Sequence, residues 1–103
     1  MDAQLKRGLL EACVLAVLRK GESYGYRLIK DLSACIVVSE STLYPILKRL
    51  ETAGCVAVHD VPHNGRLRRM YALTPAGQAR LDAFLRDWQD VMCVYAFIKE
   101  ASL

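Results

Sequence analysis

The run SESTLYPILKRLETAG (39–54), followed by CVAVHDV (55–61), PHNG (62–65) and RLRRMYAL (66–73), changes period once, and that change decides the fold. In the first part Leu43, Ile46, Leu47 and Leu50 recur at i, i+3, i+4 and i+7, the mark of an amphipathic helix. Ser39 or Ser41 is placed to cap it and Gly54 to end it. Pro45 lacks an N–H, which is harmless only in a first turn, so the spacing predicts a start near Ser41 or a distorted first turn. Beyond Gly54 the apolar residues alternate. Two strands, 55–61 and 66–73, are predicted around Pro62-His63-Asn64-Gly65, where Asn-Gly is a strong hairpin signal.

Upstream, residues 5–19 carry Leu9, Leu10, Cys13, Val14, Val17 and Leu18 at helical spacing, and Lys20-Gly21 stops them. Ser23 is expected to cap a second helix bearing Tyr24, Leu28, Ile29 and Leu32, and Ile36-Val37-Val38 reads as an extended connector. Downstream, Thr74 caps and Pro75 opens a last long helix. Three helices, a hairpin and a helix give a mainly α chain with a small β hairpin (α+β): the winged helix-turn-helix plan. The expected division is a DNA-binding domain over 1–74 and a C-terminal dimerisation helix over 75–103.

Composition removes several classes. At 103 residues, 53% of them apolar and 24% charged, the chain suits one globular domain rather than a disordered polyampholyte. Charges already crowd the first dozen positions (Asp2, Lys6, Arg7, Glu11), so neither a membrane span nor a secretory signal is expected, and the cytoplasm is the default address. Cys13, Cys35, Cys55 and Cys93 form no CxxC, and His59 and His63 have no nearby Cys pair. Structural thiols among apolar neighbours are the better reading, with no metal and no cofactor. Cys55 with His59 lacks an evident third group, and no GxSxG, P-loop or HExxH is present, which argues against an enzyme.

The net charge of +3 is small, but its layout is not even. Arg66, Arg68 and Arg69 lie in residues 62–73 with no acid. Away from its leucine stripe the third helix presents Ser41, Thr42, Tyr44, Lys48 and Arg49. Hydroxyls at a helix N-terminus and arginines on a hairpin suit phosphates and base edges of double-stranded DNA. Solvated surface charge is the bland reading of any one of these groups, and it is kept for Lys6, Arg7, Arg80, Arg86 and Lys99, which nearby acids offset.

Three separated motifs, GLLEACVLAVLRKGESYGYRLIKDL, SESTLYPILKRLETAG and GRLRRMYALTPAG, resemble the PadR family of transcriptional regulators over most of residues 8–78. The resemblance implies a winged-helix repressor acting as a homodimer, often released by a small aromatic or cationic effector, and the two-fold symmetry of such a dimer in turn predicts a pseudo-palindromic operator. It places Tyr24 and Tyr26 in the motif opening the second helix. Thr42, Tyr44, Lys48 and Arg49 fall in the recognition-helix motif, and Arg66, Arg68, Arg69 and Tyr71 in the wing. Ser41 stands where Gly is common and Met70 where Tyr is frequent. The single C-terminal helix looks like the short subfamily.

In that helix Leu81, Phe84, Trp88, Val91, Tyr95 and Ile98 keep an a/d spacing, widened by Leu85 and Met92. Part of the stripe, around Leu81 and Phe84, is expected to fold back on its own domain, and a second copy is the expected cover for the rest. Trp88 has two readings: a plain dimer anchor or, as in short PadR proteins of the multidrug-binding kind, the wall of a pocket for flat ligands. The rivals to DNA-controlled transcription are a winged helix used for protein contact and a non-specific DNA binder.

Overall fold

The first and last helices start where a side chain supplies a partner for the backbone, and the two between them start without one. In the computed structural model, residues 1–102 are described. They form α1 (Ala3–Arg19), α2 (Gly25–Leu32), α3 (Glu40–Thr52), β1 (Val56–His63), β2 (Arg66–Leu73) and α4 (Pro75–Ala101). Asp2 caps α1, its Oδ2 accepting from Leu5 N–H at 3.0 Å, and the chain leaves α1 through Gly21 at φ +153°. Thr74 caps α4 by accepting from Gly77 N–H at 3.1 Å while donating to the Gly54 carbonyl at 2.6 Å. One hydroxyl thus ties the end of α3 to the start of α4.

The leucine stripes of the three helices meet in one core. Leu15, Leu28, Leu43, Leu47, Leu50 and Val14 are fully buried, and Val56, Tyr71 and Leu81 close it from the hairpin and the first turns of α4. Burial on that scale contributes about 1.5–3 kcal/mol per large apolar side chain, and it fixes which face of α3 is left outward.

Four details differ from the sequence reading. Ser23 does not cap α2; Tyr24 occupies that position without a side-chain cap bond. Ser23 instead pairs its backbone with Tyr71, with N–H···O distances of 3.0 and 2.7 Å, as an isolated antiparallel bridge. Its side chain is buried by that long-range pairing, which a local capping pattern does not register. The hairpin is tighter than expected: β1 begins at Val56 and runs on through Pro62 and His63, leaving Asn64 (φ 50°) and Gly65 (φ 78°) as the turn. Positive φ at both central residues is what a type I′ connection requires. The α3 helix starts at Glu40, beside Ser41 as expected, but Pro45 is its sixth residue and so sits beyond the first turn. Ser39 holds the cap position, yet its hydroxyl bonds Ser41 Oγ (2.9 Å) and Thr42 Oγ1 (3.2 Å) rather than the backbone.

The α4 helix divides in two. Gly77 and Leu81 are buried and Phe84 packs on the core. Among the described residues from Leu85 to Ser102 only Trp88 is partly covered. At 27 residues the helix is about 40 Å long, which explains extents of 60 × 26 × 21 Å.

Candidate nucleic-acid interface

With Leu43, Ile46, Leu47 and Leu50 turned inward, helical geometry sorts the remaining residues of α3 into three strips. Ser41, Pro45, Lys48 and Thr52 point away from the core. Tyr44 and Glu51 lie on the flank toward the hairpin; Thr42 and Arg49 lie on the flank toward α1. All except Glu51 are exposed, and Glu51 is half-buried.

The hairpin flank is built tightly. The Arg68 guanidinium lies 3.8 Å from the Tyr24 ring centroid, a cation–π contact that aligns the wing with the start of α2. Gly25 leaves room for Tyr44: a Cβ there would meet the Tyr44 hydroxyl at 2.3 Å. Tyr24, Tyr26, Tyr44, Arg68, Arg69 and Tyr71 line a cleft of about 290 Å³. Burial pushes the Tyr71 phenol above its ordinary pKa, with Arg69 pulling the other way and Tyr44, Glu51 and Asp60 adding to the rise. Tyr71 is therefore a neutral group against the core.

Two carboxylates hold three of the cations of this surface, Lys48, Arg49 and Arg69. Glu51 meets Lys48 Nζ at 3.8 Å and Arg69 Nη2 at 3.4 Å, bridging α3 to the wing. On the other flank Glu11 of α1 meets Arg49 Nε at 3.2 Å and Arg80 Nη2 at 3.6 Å. Arg80 also donates to Cys55 Sγ at 3.7 Å, and that hydrogen bond is the main cause of its raised pKa. Arg66 and Arg68 form no ion pair among the described residues.

Tyr24, Tyr44, Lys48, Arg68 and Arg69 are thus brought together by α3, the start of α2 and the wing, whereas Ser41, Thr42 and Arg49 border the cleft toward α1 and Arg66 stands at the hairpin tip opposite His63. The sequence reading missed Glu11, Glu51 and Gly25. The two acids looked like ordinary helix-surface charges, and only the packing of α1 and the wing against α3 brings their partners within reach.

On α4, Phe84 and Trp88 stack with ring centroids 5.5 Å apart and planes 15° from parallel. Leu85, Val91, Met92, Tyr95 and Ile98 are exposed, and so are Val94 and Phe97, which lie off the predicted seam. Phe97, at 72%, is more exposed than any seam residue, so the end of α4 is apolar on every side rather than along one stripe. The uninterrupted run VMCVYAFI (91–98) carried that signal.

Residues 14–83 match the "Transcriptional regulator PadR-like family". The transcriptional regulator Rv3488 of Mycobacterium tuberculosis is 37% identical over 79 residues, 76% of this chain and 74% of that protein. The chain belongs to the PadR-like family. The structure of a PadR family transcriptional regulator from Eggerthella lenta superposes with a TM-score of 0.86 at 32% identity, over 94% of this chain and 87% of that one. Bacillus subtilis PadR, solved in complex with operator DNA, superposes at 0.70 with 28% identity, over 75% of this chain and 46% of that longer one. Membership makes this PadR-like protein a transcriptional regulator rather than an enzyme, and its winged-helix architecture is that of its structural relatives. Among the described residues of this PadR-like chain, no cluster of His, Cys, Asp and Glu is arranged to hold a metal ion. No described helix is long and apolar enough to cross a membrane.

Proposed function

We propose that this chain is a cytoplasmic repressor that binds a pseudo-palindromic operator as a homodimer. Residues 1–74 form its DNA-binding unit and 75–103 its dimerisation helix. The observation that carries the reading is the outward strip of α3, Ser41, Lys48 and Thr52, beside the unpaired arginines Arg66 and Arg68 of the wing. In this reading α3 enters the major groove while Tyr24, Tyr44 and the wing hold the backbone. The operator complex of Bacillus subtilis PadR supports it.

The dimer reading rests on α4. Among the described residues seven large apolar side chains beyond Phe84 are exposed, from Val91 at 44% to Phe97 at 72%, and fully burying such a side chain is worth up to about 1.5–3 kcal/mol. Leu81, expected in the seam, is spent on the core of its own head, with Phe84 packed beside it. A second copy joined along Trp88, Val91, Tyr95 and Ile98, with Leu85 and Met92 beside the seam, covers five of the seven exposed residues and leaves Val94 and Phe97 to its margins. It sets two heads about one DNA turn apart, ~34 Å. Trp88 then lies near the two-fold axis, where a flat aromatic or cationic effector stacks on the Phe84–Trp88 pair. Such a ligand releases DNA only through unequal affinity for competent and incompetent head spacings.

Footprinting the purified protein on the DNA upstream of its own gene tests the reading. A protected, two-fold symmetric site weakened by salt is expected. Equal affinity for the symmetric site and random duplex points to a non-specific binder. No binding even in low salt leaves a protein-contact module.

A further inference from the structure

Lys6 and Arg7 are exposed on the first turns of α1, and the acids expected to offset them are engaged elsewhere. Asp2 caps the helix through Leu5 N–H, and Glu11 pairs with Arg49 and Arg80. Neither Lys6 nor Arg7 forms an ion pair among the described residues. The two line a cleft of about 380 Å³ between α1 and α3, with Ser41, Thr42 and Arg49 on its far wall and apolar side chains between. That lining holds three cations and two hydroxyls and not one carboxylate.

The position of this cleft matters as much as its charge. It lies along the α1 flank of α3, opposite the flank occupied by the wing. A helix with side chains is about 10–12 Å across and the major groove is about 12 Å wide. A helix lying in the groove therefore has a sugar–phosphate backbone on each side. In the DNA-binding reading of α3 the wing arginines lie on the side of one of these strands, and the α1 cleft lies on the side of the other.

We propose that the first turns of α1 are a second phosphate-binding limb. Lys6 and Arg7, together with Ser41 and Thr42 across the cleft, take the backbone of the strand that the wing does not reach. This rests on the DNA-binding reading of α3 and extends its footprint to a helix that otherwise serves the core. The limb carries no sequence information. It positions α3 between two backbones, so its loss weakens every duplex alike.

The test is the salt dependence of binding by Lys6→Gln/Arg7→Gln, measured on the footprinted operator and on random duplex, with sedimentation as a check on assembly. The log–log slope should fall by about two per bound protomer, with a roughly ten- to hundredfold loss on both duplexes in ~0.1 M salt. The charge-keeping pair Lys6→Arg/Arg7→Lys should retain the slope. Arg66→Gln/Arg68→Gln provides the reference. If the wing pair flattens the slope and the α1 pair does not, the limb is overturned while the DNA reading stands. If neither pair changes it, both fall. A slope lost in the charge-keeping variant as well also overturns the limb, because shape and not charge would then be at work.

Discussion

The head and the far end of α4 are built from the same kinds of side chain and treat them in opposite ways. In the head, Leu15, Leu28, Leu43, Leu47 and Leu50 are all at most 1% exposed. Beyond Trp88, Val91, Met92, Val94, Tyr95, Phe97 and Ile98 are between 44% and 72% exposed. A helix that is apolar all round belongs in an interior, and a single copy of this chain supplies that interior for the first three turns of α4 only. The head accounts for its own stability. The tail does not bury its own apolar residues, and the proposed dimer is what would cover them.

The strongest way to break this contrast is to charge the tail. Val91→Glu/Tyr95→Glu/Ile98→Glu should leave a folded monomer by sedimentation velocity. Its operator affinity should fall about 10²–10⁴-fold, the advantage that linking two weak heads confers. A variant that stays dimeric, or a monomer that binds as tightly as the parent, would falsify the proposed use of α4. Next in size is the head itself. Leu50→Ala removes a fully buried side chain and should cost about 2–5 kcal/mol by denaturant titration. The two variants separate the two regions: the tail substitution abolishes any dependence of the melting midpoint on protein concentration, whereas the core substitution lowers stability at every concentration.

The joint between the regions is Gly77. A Cβ there would lie 2.1 Å from the Cys55 carbonyl oxygen and 2.7 Å from Leu73 Cδ1, and backbone does not yield as a side-chain tip does. Gly77→Ala should therefore push α4 off the base of the hairpin, at about 1–3 kcal/mol, and disturb head spacing more than head folding. Gly25→Ala makes a useful contrast, because its clash is with the tip of Tyr44. The ring can turn away into solvent, so duplex preference should shift while the melting temperature barely moves. Equal destabilisation by the two alanines would show that neither the joint nor the Tyr44 approach has been read correctly.

How much of this was legible beforehand follows the range of the interactions. The leucine stripe of α3, the alternation after Gly54 and the Asn-Gly turn are local, and a local pattern showed each of them. The Ser23–Tyr71 bridge joins residues 48 positions apart, and a serine before a helix looks like a cap until its partner strand is in place. The candidate surface followed the same rule. Its cations were visible from their spacing, but Glu11 and Glu51 act across elements, and their spacing within a helix gave no sign of what they hold. Val94 and Phe97 were missed for a different reason. A heptad template selects one stripe and passes over apolar residues on the remaining faces.

Glu51 carries the smallest and most discriminating prediction. Its carboxylate is shared by Lys48 of α3 and Arg69 of the wing, at side-chain exposures where an ion pair is worth about 0.2–1 kcal/mol. Glu51→Gln should hardly change the melting temperature. It also removes a negative charge from the proposed DNA-binding surface and releases two cations, so in that reading non-specific affinity should rise a few-fold at low salt with a steeper salt dependence. A carboxylate can instead accept from the exposed amino group of a cytosine, in which case the same substitution weakens the operator at one base pair and leaves random duplex unchanged. The wing has a third possible dependence on Glu51, as a strut. If operator and random duplex both weaken, the acid acts by holding Arg69 in place, and the head owes the geometry of its binding face to an ion pair as well as to its core.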